Sequence, residues 1–262
     1  IMPGRYKLTV KYYVKDKDTN VSGAITKTFG EFTYDPNGYY DMPATLSIRS
    51  YGDDYYMWDA KQEYWYGHKA DQPKIEKVPG TNFPTSSDAD RWYNAATFPT
   101  AASNKAKDCP NINELFWYCK KGDPHWDNTT LWSVWGHLYT GGIWLKKASV
   151  IAQKEGKTTT DLKTASPDDG QNRANKKVWE TPPSRTVTQG TPSKLNDYFF
   201  LPAMGRYSGG KLTYFRTRGD YWLSTPEPFF PSRGYNLDFD DVKVTVSNSS
   251  DRNNGYKLWK AE

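Results

Sequence analysis

GDYWLSTP (Gly219–Pro226) sets Tyr221 and Trp222 beside Ser224 and Thr225 with no histidine or cysteine nearby. It follows YFFLPAMG (198–205), in which Phe199, Phe200 and Leu201 run into a proline. The side chains that usually carry bond-making chemistry are missing here, whereas strand composition is abundant. DYWLS belongs to a series with YFFLP, LTYFRTR, YNLDF and VKVTV, separated by Gly, Pro and Asn signals, so the last third of the chain reads as β. Val242, Val244 and Val246 alternate with Lys243 and Thr245, giving the last of these strands one wet face.

Toward the N-terminus, two amphipathic stretches read as helices. In NINELFWYCKKG (111–122), Asn111 stands three residues before Glu114, a capping-box arrangement, and Ile112, Leu115, Phe116 and Cys119 share one face until Gly122 stops the helix. A second helix is predicted to begin near Asp127 or Asn128, with Leu131, Val134, Trp135 and Leu138 on one face and Gly141-Gly142 at its end. Both stripes predict burial against a common sheet. At the start of the chain Leu8, Val10, Tyr12 and Val14 alternate with Lys7, Thr9, Lys11 and Tyr13, the period of a half-buried strand. Only AITKTFGEFTY (24–34) and ATLSI (44–48) follow closely. Three strands make a poor sandwich, so the chain is expected to begin partway through a β domain. Between these regions lie an aromatic-dense segment (51–67), a Pro/Ser/Thr/Ala-rich stretch (71–108) read as ordered loop, and a turn-rich stretch (155–193).

Composition bounds the function. Apolar residues make up only 36% of 262 residues while aromatics reach 16%, with 11 Trp and 20 Tyr, so amphipathic rings must build the core and parts of the surface. The net charge of +5 is mild and its charges are interspersed, which gives no stripe for a nucleic acid. No apolar run approaches the roughly 20 residues of a membrane span, so a soluble chain is expected. On one helix Cys109 and Cys119 would lie roughly 15 Å apart, beyond the limit of about 7 Å for a disulfide, and both read as unpaired.

The order ELFWY, LPAMGRY, DYWLSTP, YNLDF and VKVTVSNSSDRNNGYKLW resembles the C-terminal pattern of a Bacteroidetes and Fibrobacter paralogous domain with the C-type-lectin-like fold. The matching positions are Leu201-Pro202-Ala203, Gly205-Arg206, Gly219, Tyr221-Trp222, Ser224-Thr225, Tyr235, Leu237, Phe239, Arg252 and Gly255; Leu223 departs from the pattern. The middle of the chain looks like lectin-fold modules joined to fimbrillin-type pilus proteins, and PGRYKLTVKYYV looks like a late strand of a fimbrillin β-sandwich. The resemblance implies an α+β fold: residues 51–262 as a C-type-lectin-like domain with two helices on a mostly antiparallel sheet, preceded in 1–50 by a few fimbrillin-like strands. It implies an extracellular, pilus-associated adhesin on the bacterial outer-membrane surface, with other pilus subunits as partners and a carbohydrate or protein ligand. GYKLWKAE (255–262) reads as a closing strand and not as a donor strand for a neighbouring subunit, which places the expected adhesin at the pilus tip.

In that fold Trp222 is a core ring, with Ser224 and Thr225 satisfying backbone groups at a turn. The flanking loops are where such folds carry ligands, and Tyr207, Tyr214, Arg216, Arg218, Phe229, Phe230, Arg233 and Tyr235 supply the rings and guanidinium forks that dominate binding hot spots. No metal or cofactor is expected. Calcium is the alternative, at Asp238 and Asp240 on one strand face, although the sugar-binding calcium signatures are missing. Two other classes stay open. One is a glycan-active or oxidase-type enzyme on the same fold, for which Asp53, Asp54, Asp59 and Glu63 are the carboxylates to consider; His68, His125 and His137 are scattered. The other is a purely structural pilus subunit.

Overall fold

The computed structural model describes residues 2–41, 46–178 and 181–260. Ala44 and Thr45 of the third expected N-terminal strand, and Ala261 and Glu262 of the closing segment, lie outside the described residues. The protein is mixed α+β, mostly sheet with few helices. Its elements begin with β1 (Gly4–Lys15), β2 (Ser22–Tyr34), β3 (Arg49–Ser50), α1 (Ile112–Lys121), β4 (His125–Asp127), β5 (Trp132–Val134) and β6 (His137–Tyr139). They continue with β7 (Gly142–Lys146), α2 (Ala148–Lys154), α3 (Thr159–Thr164), β8 (Ser184–Thr186), β9 (Thr188–Gln189) and β10 (Tyr198–Pro202). The last are β11 (Arg206–Ser208), β12 (Lys211–Thr213), β13 (Gly219–Pro226), β14 (Arg233–Phe239) and β15 (Lys243–Asp251). Two compact units result: Ile1–Gly52 with Thr130–Tyr139, and Asp53–Thr129 with Thr140–Glu262.

In the first unit β1 and β2 form a long antiparallel ribbon. Leu8, Val10, Tyr12 and Val14 are half-buried along it, as their alternation requires. Residues 130–139, expected to be helical, are instead the β5–β6 hairpin, which pairs with β3. Leu131, Val134, Trp135 and Leu138 fit a helical stripe, yet Trp132 and Val134 also alternate with Ser133 at strand period. The turn decides between the two periods. Trp135 and Gly136 both take positive φ (55° and 82°), the geometry of a type I′ two-residue hairpin loop, which glycine favours.

In the second unit β13, β14, β15 and β8 form one antiparallel sheet, and β10, β7, β4 and β9 form a second sheet in which β4 and β9 run parallel. The α1 helix starts on the expected capping box, Asn111 with Glu114. It buries Ile112, Leu115, Phe116 and Cys119 in a core that also takes Ile151 of α2, Leu162 of α3, and Leu223, Leu237, Val244 and Val246 from the strands. Sequence reading assigned neither α2, which precedes the turn-rich stretch, nor α3, which lies inside it, where Thr158 and Asp161 form a second capping box.

All eight residues of GDYWLSTP are buried, as strand β13. Trp222 is a core ring: its Nε1 donates to Tyr56 O at 2.7 Å and it stacks on Tyr256 with centroids 4.1 Å apart. Ser224 and Thr225 lie inside the strand, not at a turn, and serve the start of α1. Ser224 N donates to Pro110 O at 3.1 Å, and Thr225 Oγ1 accepts from Ile112 N at 3.1 Å, one of the amides a helix start leaves unpaired.

Leu115→Ala is therefore expected to destabilise the second unit by about 2–5 kcal/mol, as truncation of a buried leucine does. Leu138→Ala, in a half-exposed hairpin strand of the first unit, is expected to cost less. Chemical denaturation followed by Trp fluorescence compares the two; equal losses would contradict this placement.

Candidate functional site

Three places receive the eight expected contact residues. Tyr207 is a correction: it is fully buried, with its ring 4.7 Å from Tyr55 and 5.6 Å from Tyr64. Pairing of β11 with β12 turns Tyr207 and Leu212 inward and leaves Arg206, Ser208, Lys211 and Thr213 outward. Tyr214, Arg216 and Arg218 precede β13, whereas Phe229, Phe230, Arg233 and Tyr235 follow it. Eight residues of strand, at about 3.3 Å each, hold these groups roughly 25 Å apart. The expected single surface is therefore two surfaces.

At the far end, the buried Glu227 carboxylate accepts from Phe229 N (2.7 Å) and from Phe230 N, and Arg233 lies 4.6 Å from the Phe230 ring. Arg233 N donates to Phe230 O at 2.9 Å. These contacts close the turn upon itself.

The near end is built differently. Phe215 plugs into the protein and its amide donates to Glu76 Oε1 at 2.6 Å, so its neighbours Tyr214 and Arg216 are thrown outward. Both take left-handed backbone, φ 60° and 69°. Each such residue costs about 1–2 kcal/mol when it is not glycine. Four hydrogen bonds hold the conformation: Tyr214 O accepts from Thr217 N (3.1 Å) and Arg218 N (3.0 Å), Arg216 N donates to Ala203 O (2.7 Å), and Gly205 N donates to Arg218 O (2.8 Å). Gly205 is obligatory here, because a Cβ would lie 2.2 Å from Thr213 O.

Two guanidiniums face the Tyr214 ring, Arg206 at 5.0 Å and Arg218 at 5.4 Å. Behind them lies Asp220, wholly buried, 3.6 Å from Arg206 and 3.5 Å from Arg218. A polar ring closes the arrangement. Arg206 donates to Tyr256 Oη (3.3 Å), Tyr256 to Ser250 Oγ (3.0 Å) and Ser250 to Asn236 Oδ1 (2.8 Å), and Asn236 Nδ2 donates to Asp220 Oδ1 (3.2 Å). Asp220 Oδ2 and the Nε atoms of Arg206 and Arg218 are buried without a partner among the described residues. Burial raises the pKa of Asp220 and pushes Tyr256 up to about 12. Sequence reading placed Arg206 and Asp220 inside motifs but gave neither a role. Ser250, Asn236 and Tyr256 carried no signal, since their meeting depends on strand register.

Asp238 and Asp240 do not converge on an ion. Asp238 pairs with Arg218, and Asp240 Oδ1 accepts from Val242 N and Lys243 N, both at 2.9 Å, to close a turn. Burial, then the neighbouring Asp220 charge, lifts Asp238 to about 6. Its folded form thus holds a proton more tightly than the unfolded chain does, so its contribution to stability is fullest below about pH 4 and is lost as pH rises through 6. The limit is about 3 kcal/mol. Wild type minus Asp238→Asn, measured as stability against pH, is expected to fall between pH 4 and 7; a flat difference would contradict the assignment.

The carboxylates considered for catalysis separate into two tasks. Asp59 is a buried organiser that accepts from Asn94 Nδ2 (2.7 Å), Ser103 N (2.8 Å), Asn104 N (2.8 Å) and Ala106 N (3.1 Å). Asp53, Asp54 and Glu63 gather around Lys69 Nζ at 3.1, 2.8 and 3.6 Å. Burial raises Glu63 and lowers the adjacent Lys257 to about 8. His68, His125 and His137 stay apart, each beside its own aspartate. Among the described residues, Asp16, Asp18 and His137 could together hold a cation, but Asp16 already accepts from the amides of Asp18, Thr19 and Leu138. Cys109 and Cys119 are free and buried, their thiols pushed up to about 12 and about 11 by desolvation. No helix of the described residues is long and apolar enough to cross a membrane. Comparison with known proteins finds no matching family, no matching curated protein and no matching solved structure.

Proposed function

We propose that this chain is a pilus-associated surface adhesin, combining fimbrillin-like strands with a C-type-lectin-like unit, and that it binds its ligand at the Tyr214–Arg218 turn without a reaction. The reading rests on the order of sequence motifs from LPAMGRY to the closing Arg252 and Gly255, and on one observation. Two alternate positions, Tyr214 and Arg216, hold unfavourable left-handed backbone and present their side chains outward, where neither side chain serves the core. Backbone strain that packing does not require is characteristic of binding sites. Rings and guanidiniums are also the groups that dominate hot spots.

Arg216→Gly separates function from stability. Glycine relieves the left-handed strain while loosening the unfolded chain, so the melting temperature is expected to stay level or rise, by up to about 1 kcal/mol of stability. Binding on a glycan and host-protein array is expected to disappear in Arg216→Gly and in Tyr214→Gly alike. Unchanged array binding in both variants would remove this face from the function.

A second reading, a glycan-active enzyme, draws on the convergence of Asp53, Asp54 and Glu63 and on the raised pKa of Glu63, the property of a general acid. It is the weaker reading, because all three carboxylates share one lysine. Glycoside turnover that Glu63→Gln abolishes would favour it.

A further inference from the structure

The ligand class follows from which hydrogen-bonding groups the Tyr214 face has left to offer, on the reading that this face is the binding site. Arg206 commits Nη1 to Tyr256 and Asp220, and Arg218 commits Nη2 to Asp238 and Asp220. The other terminal nitrogen of each makes no hydrogen bond among the described residues, and both side chains keep part of their surface in solvent, 21% and 26%. The Arg216 side chain, exposed two residues from Tyr214, makes no hydrogen bond among the described residues. A guanidinium donates and never accepts. The face therefore displays uncommitted donors from three arginines, while the carboxylates behind it are Asp220, wholly buried with Oδ2 unpartnered among the described residues, and Asp238, paired with Arg218. Lys211 adds a fourth exposed cation on the same side of the β11–β12 hairpin. Such a surface is complementary to an oxyanion.

The geometry points to a carboxylate-bearing saccharide, a uronic acid or a sugar of similar charge, as the ligand: we propose that its carboxylate docks on the terminal nitrogens of Arg216, Arg218 and Arg206. Planar forks match a planar carboxylate in bidentate fashion, which favours carboxylate over a rounder anion. What surrounds the arginines favours a polyhydroxylated remainder. Ser208, Thr217 and Lys211 are exposed and polar. The inward pairs also do mechanical work. Asp220 and Asp238 hold the two stacked guanidiniums in place before a ligand arrives, so little side-chain freedom is lost on binding.

The test uses the full chain and four probes: glucuronate, glucose, acetate and inorganic sulfate, titrated by ligand-observed NMR. Glucuronate is expected to bind in the millimolar range and about tenfold more tightly than glucose or acetate, with sulfate weaker than glucuronate. Raising the salt from low to high ionic strength is expected to weaken it severalfold. Arg216→Gln, which changes an exposed side chain that makes no hydrogen bond and keeps the backbone bond to Ala203, is expected to lower glucuronate affinity about fivefold or more with an unchanged melting temperature. Arg216→Lys is expected to recover only part of the loss, because an ammonium lacks the planar fork. Equal affinity for glucose and glucuronate overturns the carboxylate, equal affinity for acetate and glucuronate overturns the saccharide, and sulfate bound more tightly than glucuronate overturns the planar-fork assignment. Glucuronate binding that Arg216→Gln leaves intact overturns the site. An uncharged array ligand that depends on Tyr214 would defeat this inference and leave the proposed function standing, whereas an array with no Tyr214-dependent ligand removes both.

Discussion

Arg252→Ala is expected to cost the second unit about 3–5 kcal/mol, a large share of the 5–15 kcal/mol that holds a domain together. The side chain is wholly buried, and among the described residues no carboxylate pairs with it at contact distance; three backbone carbonyls accept its hydrogen bonds instead. Nε donates to Arg233 O at 2.8 Å, and Nη1 donates to Asn94 O at 3.0 Å and to Ala96 O at 2.8 Å. The guanidinium plane lies 4.1 Å from the Trp58 ring. One planar group thus ties the start of β14 to the 94–96 segment and roofs a core tryptophan. Alanine would take a donor from each of three carbonyls and leave a void against Trp58, and each loss is destabilising. Burial already lowers this arginine to about 10, so its charge persists at neutral pH and the site is built around a cation. Arg252→Lys keeps the charge but not the fork, and should restore less than half of the loss. Urea denaturation monitored by near-UV circular dichroism measures both variants. A loss below about 1 kcal/mol for alanine would mean that the carbonyls find other donors.

Arg252 also shows what a sequence can and cannot give away. Its place five residues after Ser247 and three before Gly255 is legible as a motif, but two of the carbonyls it serves, those of Asn94 and Ala96, lie 158 and 156 residues upstream, in a stretch that reads only as Pro/Ser/Thr/Ala-rich loop. That loop is ordered for the same reason. Asp59, which looks like any other acidic residue, gathers the amides of Ser103, Asn104 and Ala106. Local signals were read well where local physics decides: the Asn111–Glu114 cap, and the alternation of Val244 and Val246 in β15. They misled where two periods coincide, as at Trp132–Tyr139, and where proximity in sequence stood in for proximity in space. Arg218 and Phe229 flank one motif, yet a fully extended strand runs between them. The residues that complete the Tyr214 face, Asn236, Ser250 and Tyr256, sit on three separate segments and meet only through strand register and the closing segment.

A chain that stops after Asn254 is expected to lose the cooperative fold of the second unit altogether. Strand β13 is the edge of its sheet, and an open edge exposes unpaired amides and carbonyls. Here the next residues cover it. Trp222 N donates to Lys257 O at 3.0 Å and Lys257 N to Asp220 O at 3.1 Å, while Tyr56 and Tyr256 exchange amide bonds at 2.8 and 2.9 Å. Gly255 and Tyr207 exchange another pair, both at 2.8 Å. Side chains add more. Tyr256 stacks on Trp222, and Trp259 packs against Tyr118, Phe199 and Tyr221 while its Nε1 donates to Trp222 O at 3.0 Å. Removing a buried Tyr or Trp side chain costs about 3–5 kcal/mol, so losing both, with six backbone bonds, exceeds what a domain can spare. Sharp near-UV bands and a cooperative thermal transition should both vanish. A peptide of residues 255–260 added in trans should restore part of the near-UV signal, because the groove it left is specific in register and in ring shape. A segment that merely served a neighbouring subunit would behave in the opposite way: its removal would leave the transition intact and block assembly. A truncated chain that melts like the full one would therefore show that Gly255–Trp259 is dispensable to the core, and would return that segment to the role of a donor strand.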